Sequence, residues 1–125
     1  MPTYQKKLGA WGEAIAEKYL KAKGYGIIFR NYRKRVGEID LVAKKKNKTI
    51  FIEVKTRTSH TFGFPEESID SYKLAKLSSV IEAYLAENRL PAENIQLDCI
   101  IVEYNQAHQK VKIRHLKNVE VDLSS

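Results

Sequence analysis

Residues 37–57, which read GEIDLVAKKKNKTIFIEVKTR, contain two apolar runs separated by a short, mostly basic connection. Both runs have the length and the Ile, Leu, Val and Phe content of β-strands, and so short a connection predicts an antiparallel hairpin. The chain must therefore fold around a sheet that contains this pair. Both runs also contain acidic residues, which are poor strand formers and require a separate explanation.

The register of the hairpin decides where those acids lie. A loop of two residues or of four places Asp40 directly opposite Glu53, and opposite residues share a face with Cβ atoms about 4.5–5.5 Å apart. Alternation along each strand puts Glu38 on the side of Asp40 and Lys55 on the side of Glu53. We therefore expect three acids and a lysine on one face. A loop with an odd number of residues would break this arrangement, unless a bulge restored it.

Two facing carboxylates repel each other unless a cation lies between them. Mg²⁺ takes oxygen ligands and is often held by one or two carboxylates together with substrate phosphate oxygens. Lys55 would lie about 6.5 Å from Glu53 along the strand, within reach of a phosphate or an attacking water. The set suits metal-assisted phosphodiester hydrolysis. The alternative is a solvated sheet face on which Lys55 neutralises the acids.

Two segments have helical periodicity, and three further segments resemble strands. The first helix covers about residues 4–23 and has two candidate packing faces. One face is an apolar stripe formed by Leu8, Trp11, Ile15, Tyr19 and Ala22. The other is formed by the small residues Gly9, Gly12 and Ala16. The second helix covers about 69–87, with an apolar stripe formed by Leu74, Leu77, Ile81, Tyr84 and Leu85.

The predicted strands cover residues 25–31, 36–43, 49–56, 95–103 and 110–116, and residues 56–68 read as a loop. The order is α-β-β-β-α-β-β, which indicates an α/β or α+β fold with a mixed central sheet flanked by helices. Without a visible linker or repeat, we expect a single domain over residues 1–125, with its core at about 8–117.

Charge is unevenly distributed along this chain of net charge +7. Residues 1–60 hold 15 basic and 5 acidic residues, whereas residues 61–125 hold 7 and 10. The basic half predicts a polyanionic partner, of which nucleic acid is the commonest. An adaptor that meets a protein partner through its acidic half is another interpretation. No apolar run is long enough for a membrane span, and the lone Cys99 fits a reducing cytoplasm.

Basic residues cluster in RNYRKR, residues 30–35. Arg and Lys side chains here would grip phosphates and Tyr32 would stack on a base; a charged turn between strands is the alternative. Six positively charged residues are predicted to bind nucleic acid. Five lie within residues 1–60 and one lies on the second helix: Arg30, Arg33, Lys34, Arg35 and Arg57; Lys73.

Four motifs together, GAWGEAIAEKYLKAKGY, GEIDLVA, FIEVKTR and FGFPEES, resemble the YraN-like family of small bacterial proteins. That family is assigned to the restriction-endonuclease-like superfamily, named for its PD-(D/E)xK motif, and is similar to archaeal Holliday junction resolvases. The resemblance runs from about Leu8 to Val102. The superfamily's proline before the first acid is absent, and Ile39 stands in its place.

The resemblance implies a Mg²⁺- or Mn²⁺-dependent endodeoxyribonuclease that acts on duplex or branched DNA, such as a Holliday junction, as a homodimer. Asp40 matches the first acid of the motif, Glu53 the second and Lys55 the lysine, while Glu13 matches the helical glutamate of resolvases. The implied metal ligands are Asp40, Glu53, Glu13 and the main-chain carbonyl of Val54. A binding module that retains the fold without turnover is the alternative.

Overall fold

The structure, a computed structural model, describes residues 3–59, 71–121 and 123. Its helices and strands follow the predicted order: α1 Tyr4–Ala22, β1 Gly26–Lys34, β2 Gly37–Lys45, β3 Lys48–Ser59, α2 Ser71–Glu87, β4 Ile95–Asn105 and β5 Lys110–Leu116. The predicted fold class, a mixed central sheet flanked by helices, is confirmed. Most of the predicted loop, with its FGFPEES motif, lies outside the described residues.

The five strands form one sheet in the order β1-β2-β3-β4-β5. Neighbouring strands are antiparallel except β3 and β4, which are parallel because the connection through α2 crosses over. The β2–β3 loop has two residues, Lys46 and Asn47, and Lys46 adopts a φ of 55°. The predicted hairpin register is confirmed up to the Leu41–Ile52 pair, where the ladder ends.

Each face of the sheet carries its own core. The α2 face packs Val42 and Phe51 against Leu77, Ile81 and Tyr84, so the predicted stripe of α2 is confirmed as its buried side. The opposite face, covered by α1, is formed by Ala16, Leu20 and strand residues: Leu41, Ile50, Ile52, Ile100 and Val102. Because the middle of β3 and of β4 is covered on both faces, each strand contains a short continuous apolar run, residues 50–52 and residues 99–102.

Of the two packing faces predicted for α1, the small-residue face rather than the apolar stripe lies closest to the sheet. The buried residues are Gly12, Ala16 and Leu20, whereas Trp11 on the predicted stripe is exposed. Small side chains allow the helix backbone to approach the sheet closely, and this contact decides the orientation of α1. Gly12 lies against Thr56 of β3, with no room for a Cβ.

Gly12→Ala is therefore expected to lower the free energy of unfolding by about 1–3 kcal/mol, because the added Cβ would overlap Oγ1 of Thr56. Gly9→Ala is the matched control. A Cβ at Gly9 meets no atom of the described residues within 4 Å, so this change should be neutral or add about 1 kcal/mol. Urea unfolding of both variants measures the difference. Equal stabilities would contradict the close approach of α1 to β3.

None of the helices within the described ranges is long and apolar enough to cross a membrane.

Candidate functional site

Strands β2 and β3 separate at Asp40. Followed from the hairpin loop, the β2–β3 ladder ends at the Leu41–Ile52 pair, just before it reaches Asp40. Asp40 also has no partner in the β1–β2 ladder, where Asn31 adopts a φ of 52°. Ile39 and Val42 pack into the same core cluster although they are three residues apart, so the alternation of β2 breaks here. Instead of backbone pairing, Oδ2 of Asp40 accepts a 2.7 Å hydrogen bond from the Val54 N–H.

Asp40 and Glu53 form a buried acidic pair at this point, with 9% and 6% of their surfaces exposed. Burial raises the pKa of Asp40 from 3.8 to about 8, and the charge of Glu53 adds to the effect. The hydrogen bond from the Val54 N–H opposes the rise without cancelling it. Two carboxylates in such surroundings favour either a shared proton or a nearby cation.

One such cation comes from α2. Nζ of Lys73 lies 2.9 Å from Oε1 of Glu53. Burial alone would lower the pKa of Lys73, but its hydrogen bond to Glu53 and the charges of Glu53 and Asp40 raise it. Lys73, predicted to face nucleic acid, therefore stays charged and lies directly on the acidic pair.

A pocket of about 270 Å³ opens beside this pair. It is lined by residues of α1, β3 and α2: Gln5, Leu8, Gly9, Glu13, Glu53, Val54, Lys55, Thr56, Arg57 and Lys73. We call it the acidic pocket. The pocket brings together Glu13, Glu53 and Lys55, the residues that the family motifs predicted to act together. Asp40 does not line the pocket, but it is hydrogen-bonded to Val54, which does.

The pKa of Glu13, which lines the pocket from α1, is affected by the charges of nearby acids. Burial raises its pKa, and the charges of Glu38 and Glu53 raise it further, while Arg33 lowers it. Glu38 itself is half-exposed and forms a 2.8 Å ion pair with Arg33, as a solvated neighbour of the pocket would. The charge of Glu38 also adds to the rise in the pKa of Asp40, so the two acids lie near each other as their predicted placement on one side of β2 requires.

The donor set fits a hard divalent cation with two carboxylates rather than three. Among residues 3–59 and 71–121, no group of three or more Asp, Glu, His or Cys side chains is arranged to hold a metal ion. Asp40 and Glu53 remain, together with the Val54 carbonyl, which points to the same strand edge as the N–H that Asp40 accepts. Mg²⁺ commonly binds through one or two carboxylates and fills its other positions with water and phosphate oxygens.

The basic segment 30–35 lies largely in β1 rather than in a turn. Arg30 forms two hydrogen bonds to Glu17, of 2.7 and 2.6 Å, and these hold the pKa of Glu17 at about 2. Lys34 pairs with Glu87. The cations Arg30, Arg33 and Lys34 are therefore bonded to acids of the fold, whereas Arg35 is exposed in the turn after β1.

Stacking of Tyr32 on a base is wrong as a prediction. Tyr32 is buried, its ring meets that of Tyr84 edge to face, and its hydroxyl donates to Glu87. Its position opposite the buried Ile39 decides this orientation.

Another buried acid, Asp98, was missed from the sequence. Asp98 of β4 is fully buried and lies 2.7 Å from Nε2 of His115, whose Nδ1 lies 3.0 Å from the Tyr19 hydroxyl. Burial would raise the pKa of Asp98, but hydrogen bonds from His115, Asn118 and Gln96 lower it. This network ties β5 to α1. The one signal in the sequence was an acid inside the apolar run QLDCIIV.

Comparison with known proteins places these residues in context. The model of the Uncharacterised protein family UPF0102 matches residues 12–102. A UPF0102 protein of Alkaliphilus oremlandii is 42% identical over 113 residues, covering 90% of this chain and 97% of the relative. One from Caldanaerobacter subterraneus is 39% identical over 115 residues, covering 91% and 94%.

Among solved structures, "The structure of Pyrococcus Furiosus SfsA in complex with Ca2+" matches with a TM-score of 0.44 and 17% identity. The match covers 94% of this chain. The chain spans less than two thirds of that protein chain, 65% of its length.

Proposed function

The chain belongs to the uncharacterised protein family UPF0102, the YraN-like family that its motifs predicted, and we propose that it is a Mg²⁺- or Mn²⁺-dependent endodeoxyribonuclease. The observation that carries the proposal is the buried Asp40–Glu53 pair, placed where β2 and β3 separate. A fold gains nothing from two buried carboxylates that repel each other, whereas a site for a divalent cation uses them.

The chain's own residues divide the work of phosphodiester hydrolysis between them. Asp40 and Glu53 would hold the ion, with the Val54 carbonyl as a further ligand and Glu13 assisting from α1. The ion would supply Lewis-acid stabilisation of the phosphate and a more acidic water. Lys55 orients that water and stabilises the negative charge that develops on the phosphate.

The net charge of residues 1–60 supports DNA as the substrate, because phosphate contacts dominate the affinity of such complexes. Similarity of the family motifs to Holliday junction resolvases favours branched DNA. Two symmetric cuts require two sites, so we propose a homodimer as the acting species.

A non-catalytic nucleic-acid-binding module is the second candidate, and one observation favours it. Lys73 already neutralises Glu53 at 2.9 Å, so a cation of the chain occupies part of the space that a metal ion would use. In that function Lys55, Arg57 and Lys73 would bind a phosphate in the acidic pocket without turnover.

Cleavage of a panel of single-stranded, duplex, flap and four-way DNA in Mg²⁺ and in Mn²⁺ separates the two functions. The nuclease proposal expects metal-dependent cutting of at least one substrate, abolished by EDTA. Binding measured in parallel in Ca²⁺ provides the comparison. Tight binding with no cutting of any substrate in either metal would overturn the nuclease proposal in favour of the binding module.

DNA binding is expected to weaken steeply with salt, with a log–log slope of about −0.9 for each phosphate neutralised on a duplex. Arg35→Glu, in the exposed turn after β1, should weaken binding without regard to base sequence. The matched control is Arg89→Glu, which reverses an exposed charge after α2 and should change the affinity little. Equal losses in both variants, or an affinity independent of salt, would argue against a DNA-binding face around β1.

A further inference from the structure

A second pocket, of about 400 Å³, is not explained by the proposed chemistry. We call it the aromatic pocket, and it is lined by Tyr4, Leu8, Trp11, Thr58, Tyr104 and Gln106. Tyr4 is 65% and Trp11 37% exposed, and the Trp11 ring meets that of Tyr104 edge to face at 6.1 Å. Exposed aromatic rings grouped around a cavity indicate a binding surface rather than a core.

The aromatic pocket adjoins the acidic pocket. Leu8 of α1 lines both of them. Along β3, Lys55 and Arg57 line the acidic pocket, and Thr58 lines the aromatic pocket. A molecule that places a phosphate beside Lys55 can therefore extend past Leu8, the residue that the two pockets share, to the rings.

The chemistry of this path selects its occupant. Cations that suit a phosphate, beside acids that suit a metal ion, lie at one end, and ring faces that suit a flat, apolar group lie at the other. A nucleotide combines these two groups, and base–aromatic stacking tolerates any base. We propose that the aromatic pocket binds an unpaired base of the DNA strand whose phosphate lies in the acidic pocket, a proposal that rests on the proposed function.

The base must be unpaired for a steric reason. In a duplex both faces of a base are covered by its neighbours, so a protein ring stacks only on a base that has left the stack or was never in it. The pocket therefore makes DNA with single-stranded or junction-exposed bases a better ligand than a fully paired duplex. This narrows the substrate class to strands with unpaired bases beside the phosphate that is cut.

Trp11 supplies a direct readout, because it is the only tryptophan of the chain. The protein is titrated in Ca²⁺ with an oligothymidylate strand and, separately, with a relaxed, covalently closed circular duplex, which has neither ends nor loops. Stacking of a thymine on the indole should quench Trp11 fluorescence with the single strand and leave it unchanged with the fully paired duplex. Anisotropy of a dye on the DNA measures affinity in the same samples.

Ring removal tests the pocket independently of fluorescence. Tyr104→Leu keeps an apolar side chain without the ring, and Tyr4→Ser alters a residue too exposed to support the fold. Each should weaken single-strand binding by about 5- to 150-fold, the range that loss of one stacked base represents. Leu90→Ala is the control, since Leu90 is an exposed apolar side chain after α2, outside both pockets and outside β1, and its loss should leave the affinity unchanged.

The outcomes separate this proposal from the one it rests on. Quenching without cleavage of any substrate would support the aromatic pocket and refute the nuclease. Cleavage by the wild type with no quenching, and with unchanged affinity in Tyr104→Leu and Tyr4→Ser, would overturn the pocket and leave the nuclease standing. The accessibility of Trp11 to a small fluorescence quencher, measured without DNA, is the last readout. If it falls as the protein concentration rises and sedimentation shows a dimer, a second copy covers the rings and the aromatic-pocket proposal is overturned.

Discussion

Asp40→Asn is expected to reduce DNA cleavage by more than about 100-fold while leaving DNA binding intact. Loss of an outer-shell partner of a metal ligand already costs about 10- to 100-fold, so loss of a proposed ligand should cost more. Asn has nearly the volume of Asp, and its amide oxygen can still accept the hydrogen bond from the Val54 N–H, so the fold should survive. Affinity for DNA should stay the same near neutral pH and rise at pH 9, where Asp40 is ionised and its removal takes a negative charge away from the phosphate.

Two further variants assign the roles within the pocket. Glu53→Gln should abolish cleavage as Asp40→Asn does, whereas Lys55→Ala should retain metal binding and lose turnover, because Lys55 acts on water and phosphate. Metal binding is followed by Mn²⁺ titration calorimetry and cleavage by gel assay. Glu87→Gln is the control, since it neutralises a hydrogen-bonded acid that does not line the acidic pocket. Undiminished cutting by Asp40→Asn would place the reaction elsewhere.

The hairpin was predictable because its determinants are local. A two-residue connection and strict alternation decide the register from Lys45 to Leu41, and no distant residue has to be known. The end of the ladder at Asp40 was not predictable. It depends on the irregular backbone at Asn31 of the neighbouring strand and on the side-chain bond from Asp40 to Val54.

The side chains that contact the buried acids could not be predicted from the sequence, for a similar reason. Lys73 reaches Glu53 only because α2 crosses back over the sheet, and no spacing along the chain encodes that contact. For α1 the sequence indicated two candidate faces without deciding between them, and the small-residue face with Gly12 and Ala16 is the buried one, while Trp11 of the apolar stripe is exposed. Close approach to the sheet favours the smaller residue.

In EDTA, Asp40 is expected to make the wild-type protein lose stability as the pH rises from about 4 to about 8. The pKa of Asp40 is raised from 3.8 to about 8 in the folded protein, by burial first and by the charge of Glu53 second. Between these values the unfolded chain releases the proton and the folded protein keeps it. Because the folded state then binds more protons, a rise in pH favours unfolding. Above about pH 8 both states are ionised, and the loss is complete.

Asp40→Asn isolates this contribution, because the amide does not titrate. The variant should become more stable than the wild type across this pH range, by at least about 1 kcal/mol at pH 9 in EDTA, with the difference vanishing near pH 4. Urea unfolding of both proteins at several pH values gives the difference curve. A difference that is the same at pH 5 and pH 9 would mean that Asp40 ionises normally and repels no neighbour.

Mg²⁺ should reverse the trend for the wild type alone. A cation binds the ionised pair and displaces the proton, so the rise in melting temperature on adding Mg²⁺ should be larger at pH 9 than at pH 6. Asp40→Asn lacks the second charge and should show little rise at either pH. If both proteins gain equally, the ion binds away from Asp40. The metal site would then lie among other acids. A gain in melting temperature confined to the wild type would instead show that metal binding, proton binding and stability depend on the same buried Asp40–Glu53 pair.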